Sequence, residues 1–263
     1  MAGTQVPMRL RPLHYFWATF RRQWRSDIST TFLTPVLYLA SIGAGLGSFI
    51  KGGQVLASLG GEDYLSFVAP ALLVTTAMQV AVSRSTYDVY GCKNWWSGAY
   101  RSMLAAPLSV GDIVTGHLAW VAARVGLASA FYLAVSAAFG AVHSPAAAAD
   151  LVVGPVVGLA FAAPIIAYAI TVRHEQPFVM IFRLVMVPLF LFSGTFFPLS
   201  QLPTGLRYIA YVLPLWHGVE LSRGLYQGSL GAWPALGHLA YLVVVIAVGS
   251  MAASRTYRKE LAP

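Results

Sequence analysis

The sequence predicts an all-α integral membrane protein with six transmembrane helices, and three observations carry that prediction. Of 263 residues, 57% are hydrophobic and only 10% charged, where a soluble domain carries about 25% charged. The apolar residues fall in runs of roughly twenty, each long enough to cross a bilayer as a helix. Lys and Arg gather on alternate connections, as they do in cytoplasmic loops. No polar block is long enough to fold by itself, so residues 1–263 read as one transmembrane domain: an interface helix over 1–29, a six-span core over 30–253 and a cytoplasmic tail over 254–263. The formal charge of +8 is therefore a report on topology and not a nucleic-acid footprint. The single cysteine, Cys92, excludes an internal disulfide and a cysteine-based zinc cluster.

The N-terminal arm carries Arg9, Arg11, Arg21, Arg22 and Arg25. It has no early apolar core, and the first apolar run exceeds that of a signal peptide, so no cleaved signal is expected. At about 100° per residue, Leu10, Leu13, Phe16, Trp17, Phe20, Trp24 and Ile28 share one arc, beside an arc of His14 and the arginines. This predicts an amphipathic helix in the membrane interface, with Trp17, Phe20 and Trp24 in the acyl boundary and Arg21, Arg22 and Arg25 on headgroups. A helix docking on a soluble partner has the same form.

Six spans follow at about Thr31–Ile50, Tyr64–Ser83, His117–Val142, Leu151–Val172, Phe178–Phe197 and Pro234–Ala253. An even number places both termini on one side. Twelve of the 17 basic residues lie on that side and three, Lys51, Arg207 and Arg223, opposite, so both termini are expected to be cytoplasmic. Gly43-x-x-x-Gly47 and Gly154-x-x-x-Gly158 mark candidate close helix contacts.

Between the second and third spans, Lys93 to Asp112 forms a cytosolic segment. It predicts a short helix from Ser97 to about Ala105, ended by Pro107, which lacks an N–H and pushes Ala106 out of helical geometry. Ser109 and Asp112 have capping-box spacing for a new helix. Tyr100, Met103 and Leu104 share one side of the short helix, an apolar ridge that serves either to dock another protein or to rest on headgroups. Cys92, just before it, offers a natural cytoplasmic label.

The external segment from Pro198 to Trp233 is too apolar to hang in water. Leu206–Leu213 and Leu215–Tyr226, with Pro198, Pro203 and Pro214 as the breaks, predict two half-helices re-entering from the outer face; a plain interfacial helix is the other reading.

Chemistry is sparse. No Gly-Lys pair exists, so a Walker A phosphate loop is absent; so are a zinc-protease pair of histidines and a Gly-x-Ser-x-Gly elbow. All nine carboxylates fall outside the predicted spans, which argues against a proton-driven carrier. Arg124 and Arg183 are the only charges within spans, at a shared depth of roughly 8–10 Å from the inner boundary. Each either snorkels to inner-leaflet phosphates or joins the other in a basic site for an anionic headgroup, below an apolar path lined by Phe190, Phe196 and Phe197. An externally driven permease, an ion channel, an assembly factor and an enzyme are the candidate classes, and the last is disfavoured.

Ser193-Gly194-Thr195-Phe196-Phe197-Pro198, the Leu202-Pro203 turn, Pro214-Leu215 followed by His217, and Arg223 resemble the pattern of the ABC-2 family of permeases. Tyr100-Arg101-Ser102-Met103-Leu104-Ala105-Ala106-Pro107 is similar to the coupling-helix segment between the second and third spans of that family. With the interface helix and the re-entrant pair, the resemblance extends over essentially the whole chain. It looks closest to the NodJ and daunorubicin-resistance type of permease, which are exporters. The resemblance implies a plasma-membrane permease that pairs with an identical or related permease and two ATP-binding cassette subunits, exporting a lipid, glycolipid, polysaccharide or hydrophobic drug. ATP and Mg would sit on the partner, with no cofactor in this chain. Tyr100, Arg101, Met103, Leu104 and Pro107 would couple the two. A non-transporting assembly or structural protein on the same scaffold is the alternative.

Overall fold

The computed structural model describes residues 11–42, 63–95 and 98–261, and their secondary structure is helical throughout. The first helix, α1 (Arg11–Ala40), runs without a break through the boundary expected near residue 30. Residues 43–50 of the predicted first span, with Gly43 and Gly47, lie outside the described residues. Helix α2 (Tyr64–Ser83) contains Pro70 and does not stop where its span was expected to end. It continues to Asn94 through wider π-helical turns at 84–88 and 91–95, so most of the anticipated loop is helix. Arg84 and Asp88 face each other across one of those turns at 3.7 Å.

The short helix α3 (Ala99–Ala105) follows Gly98, whose φ of 67° is a left-handed conformation that glycine adopts freely. It ends as Pro107 dictates, with Ala106 extended. Helix α4 (Val110–Ala138) then begins on the expected capping box, in which Ser109 Oγ accepts from the Asp112 N–H and Asp112 accepts from the Ser109 N–H. Helix α5 (Asp150–Ala169) is extended backward by a 3₁₀ turn over Pro145–Ala149. Helix α6 (Gln176–Phe192) contains a π-helical stretch over 181–186 and stops short of Phe197, because Gly194 reverses the chain with φ 83°. Two short helices, α7 (Thr204–Val212) and α8 (Pro214–Gln227), occupy the positions expected for the half-helices, and α8 is closed by Gly228 in left-handed geometry. The last helix, α9 (Ala232–Leu261), extends two turns beyond its predicted span and takes in most of the supposed tail.

Four of these helices, α2, α4, α9 and α5 with its preceding turn, are long and apolar enough to cross a membrane; α6 is apolar but shorter. Helix α5 is the hub, packing on α2, α4, α8 and, most extensively, α9. Small residues let these backbones approach. A Cβ at Gly154 would meet Ser129 Oγ at 2.1 Å, and one at Gly158 would meet Val125 at 2.9 Å, so the predicted glycine pair does face a neighbouring helix, α4. Among the described residues a small apolar cluster of Ala77, Ala81, Val121, Val125 and Ala162 joins α2, α4 and α5, and two larger ones form the rest of the core. One gathers Leu73, Tyr132, Val157, Leu215 and Tyr226 at the end bearing α7 and α8; the other gathers Phe16, Cys92, Tyr100, Ile170, Phe178 and Tyr257 at the end bearing α3.

Asp150, placed before the fourth span from sequence, is instead the first residue of α5, within the span-length helix 145–169, and is fully buried.

Candidate functional site

The α3 end of the bundle is where the sequence placed coupling to another protein. The structure changes which residues could do it. Tyr100 is 1% exposed and Met103 8%, so the ridge anticipated as open is packed against this chain's own core. The reason is the extra length of α9. Tyr257, one turn past the predicted span Pro234–Ala253, sets its ring edge-on to Tyr100 with centroids 5.7 Å apart and hydroxyls 3.3 Å apart. Burial first, and then the neighbouring Tyr257, push the Tyr100 hydroxyl well above its ordinary pKa, so it stays neutral. What α3 presents outward is Arg101, Ser102 and Ala105, then Pro107, with Leu104 half-buried beside them.

The attachment of this segment is reinforced from its other side. Lys93 Nζ donates to the Ile170 carbonyl at the end of α5 at 2.6 Å and pairs with Glu260 of α9 at 2.8 Å. The pair is partly exposed, so its value lies more in position than in energy. Cys92 is fully buried in the same cluster, which disqualifies it as a label from either side.

Helix α1 lies along α4. Phe16 stacks on Trp120 at 6.0 Å and meets His117 edge-on at 5.1 Å; Phe20 meets Trp120 edge-on. The backbones come close enough that a Cβ at Gly116 would strike Pro12 at 2.7 Å. Phe20 is therefore turned at least partly to the protein, whereas Trp17, Arg21 and Arg22 are exposed. The side chains of Trp24 and Arg25 lie outside the described residues.

Arg124 and Arg183, expected at a shared depth, are not brought together. Arg124 is 6% exposed, with its guanidinium 4.4 Å above the Phe20 ring, a cation–π contact that a buried arginine makes well. Arg183 lies exposed on α6 among Met180, Leu184 and Val187, and α4 and α6 share no substantial packing. Within this chain the two do not form a joint anion site. Phe190 and Phe196 do meet, edge to face at 4.8 Å, and Phe197 is half-buried beside them.

Three features at the opposite end escaped the sequence. Arg223 staples the turn after α6 to α2: it donates to the Gly194 carbonyl at 2.9 Å and lies 3.8 Å above the Phe67 ring. Arg207 gathers the carbonyls of Leu199, Ser200 and Leu202, fixing the turn into α7. His217 Nε2 donates to the Tyr211 carbonyl at 3.0 Å while its Nδ1 faces His238 Nδ1 at 2.9 Å, and its ring stacks on Tyr241, whose hydroxyl donates to the Val212 carbonyl. This knot binds α7 and α8 to α9. Only the helical spacing of Trp216 and His217 against His238 and Tyr241, an aromatic cluster shared by two predicted helices, offered a hint of it. Among the described residues no three metal-ligating side chains converge on one point.

Among the described residues the arrangement thus has two firmly tied ends and an exposed face on α3, Arg101, Ser102 and Ala105, that points away from the bundle. Comparison with known proteins identifies the family. The profile described as "ABC-2 type transporter" matches residues 13–226, from α1 to α8. The chain is 33% identical over 227 residues to nodulation protein J of Rhizobium leguminosarum bv. viciae, covering 86% of this chain and 85% of that protein. It is 31% identical to nodulation protein J of Rhizobium leguminosarum bv. trifolii over 86% of this chain and 84% of that one, and 28% identical to that of Bradyrhizobium diazoefficiens over 94% of both. By the extent of these matches, the chain belongs to the ABC-2 type transporter family.

Proposed function

We propose that this protein is the membrane-spanning permease subunit of an ATP-binding cassette exporter that moves a lipid, glycolipid or hydrophobic drug outward. Hydrolysis occurs on separate ATP-binding subunits, because this chain has no Walker A loop. The observation that carries the reading is the two-sided nature of α3. Its inner face, Tyr100 and Met103, is buried against α9, and its outer face, Arg101, Ser102, Ala105 and Pro107, is free to meet a partner. A push on the outer face reaches α9 through Tyr257 and α5 through Lys93 and Ile170, so a closing ATPase pair moves packed helices as a body. In this reading the α3 end is cytoplasmic, α1 and α6 complete six spans, α1 begins in the interface, and α7 and α8 dip back from the outer surface. The exposed apolar faces of α6 and α9 meet lipid or a second permease, identical or related.

Coexpression with the product of a neighbouring reading frame that carries a Walker A motif tests this. The tagged permease is expected to retain that subunit through purification and to support ATP hydrolysis in lipid. A permease that purifies alone under the same conditions, with the ATPase stable in the same cells, would favour a structural role on this scaffold.

A further inference from the structure

Ser222 on α8 stands between two oxygens that belong to other helices. Its Oγ is 2.6 Å from Asp150 Oδ2 on α5 and 3.2 Å from the Pro70 carbonyl oxygen on α2, and both Ser222 and Asp150 are fully buried. A serine hydroxyl has one proton to give. The Pro70 carbonyl has none, and neither has an ionised carboxylate. With Asp150 ionised, Ser222 could donate to only one of its two neighbours, and the other of these close oxygen–oxygen contacts would hold no hydrogen. With a proton on Asp150 the count closes: Asp150 donates to Ser222 Oγ, and Ser222 donates to the Pro70 carbonyl.

The surroundings favour the neutral form as well. Among the described residues no Lys, Arg or His pairs with Asp150, and its Oδ1 is buried without a partner, where a full negative charge would go uncompensated. One turn along α5, at Gly154, the nearest atoms from other helices belong to Leu73 of α2 and Ser129 of α4. From α8 come Ser222 and Tyr226, which bring hydroxyls but no charge. Arg223, next to Ser222 in sequence, engages Gly194, Phe67 and Glu220.

We infer that Asp150 is a proton-binding site, a neutral carboxylic acid whose relay through Ser222 to Pro70 clasps α8 onto α5 and α2. The inference stands apart from the transport reading and needs no partner subunit. Any motion that draws α8 from this junction breaks both bonds at once.

Infrared spectroscopy of the purified full-length protein at neutral pH tests it, with thermal unfolding as the companion measurement. The wild type is expected to show the C=O stretch of a protonated carboxyl that disappears in Asp150→Asn and shifts in Ser222→Ala, which removes the acceptor of the acid's hydrogen bond. Asp150→Asn retains a donor toward Ser222 and is expected to unfold close to the wild-type temperature, whereas Asp150→Ala and Ser222→Ala unfold at lower temperatures. Should Asp150→Asn fail to accumulate, the Ser222→Ala shift alone decides the matter. Absence of any carboxyl band that responds to these substitutions, or an Asp150→Asn protein as destabilised as Asp150→Ala, would overturn the inference.

Discussion

Gly249→Leu is expected to leave no stably folded permease in the membrane. A Cβ at this position would lie 2.7 Å from the Pro164 backbone nitrogen, 2.8 Å from Pro164 Cδ and 2.9 Å from Ala163 Cβ. Backbone and ring atoms cannot swing aside as a flexible side-chain end can, so α9 would have to lift from α5 along the most extensive helix contact in the bundle. Overpacking by a methylene or two costs about 1–3 kcal/mol in a core that can adjust. A leucine against rigid backbone should exceed that, within a total stability of roughly 5–15 kcal/mol. Gly237, on the same helix, is the control: nothing lies within 4 Å of its Cβ direction, so Gly237→Ala should be neutral or slightly stabilising through helix propensity. Thermal unfolding followed by size-exclusion profile measures both. A Gly249→Leu protein that melts like the wild type would mean α9 does not pack on α5 as described.

Tyr100→Ala should separate docking from transmission. Removing this fully packed ring opens a cavity against Tyr257, a truncation of the kind that costs about 3–5 kcal/mol for large aromatic side chains. The outer face, with Arg101 and Ser102, is untouched. The ATP-binding subunit is therefore expected to remain bound, while ATP hydrolysis in lipid loses its response to the permease. Tyr100→Phe keeps the ring and gives up only the hydroxyl contact, about 1 kcal/mol, and should behave nearly as the wild type. If Tyr100→Ala couples normally, the link from α3 to α9 does not carry the motion.

Much of the local structure was legible because its causes are local. Pro107 ends α3, Ser109 and Asp112 start α4, and Pro203 and Pro214 mark the starts of α7 and α8. Gly154 and Gly158 announced a close helix contact, though not that α4 was the neighbour. What failed depended on distant parts of the chain. The side of α3 bearing Tyr100 and Met103 is apolar in sequence whether it meets a partner or its own core; the difference is the two further turns of α9, which hydropathy could not register because Arg255, Arg258 and Lys259 interrupt it. Alternation of Ala253, Tyr257 and Leu261 at intervals of four was the signal for a buried helical stripe there. For Arg124 and Arg183, rise per residue fixes depth but not azimuth, and it is azimuth that turns one onto Phe20 and the other to the exterior. Arg223 contributes to the charge asymmetry as any basic residue does, but its partner Gly194 is 29 positions away. Asp150 was missed by a single residue at a span boundary, the least certain part of any sequence reading.

The outward face of α3 is the part of the account on which function depends, and contact there can be measured directly. Ser102 is exposed on that face, and Ser229, just beyond α8, is exposed at the opposite end of the bundle. In a Cys92→Ser background, Ser102→Cys and Ser229→Cys each carry a thiol-linked photo-crosslinker in membranes containing the assembled complex. Crosslinking of the ATP-binding subunit from position 102 and not from position 229 is the result expected. Crosslinking from position 229, or none from position 102 while the complex is intact, would contradict the assignment of α3 as the coupling element.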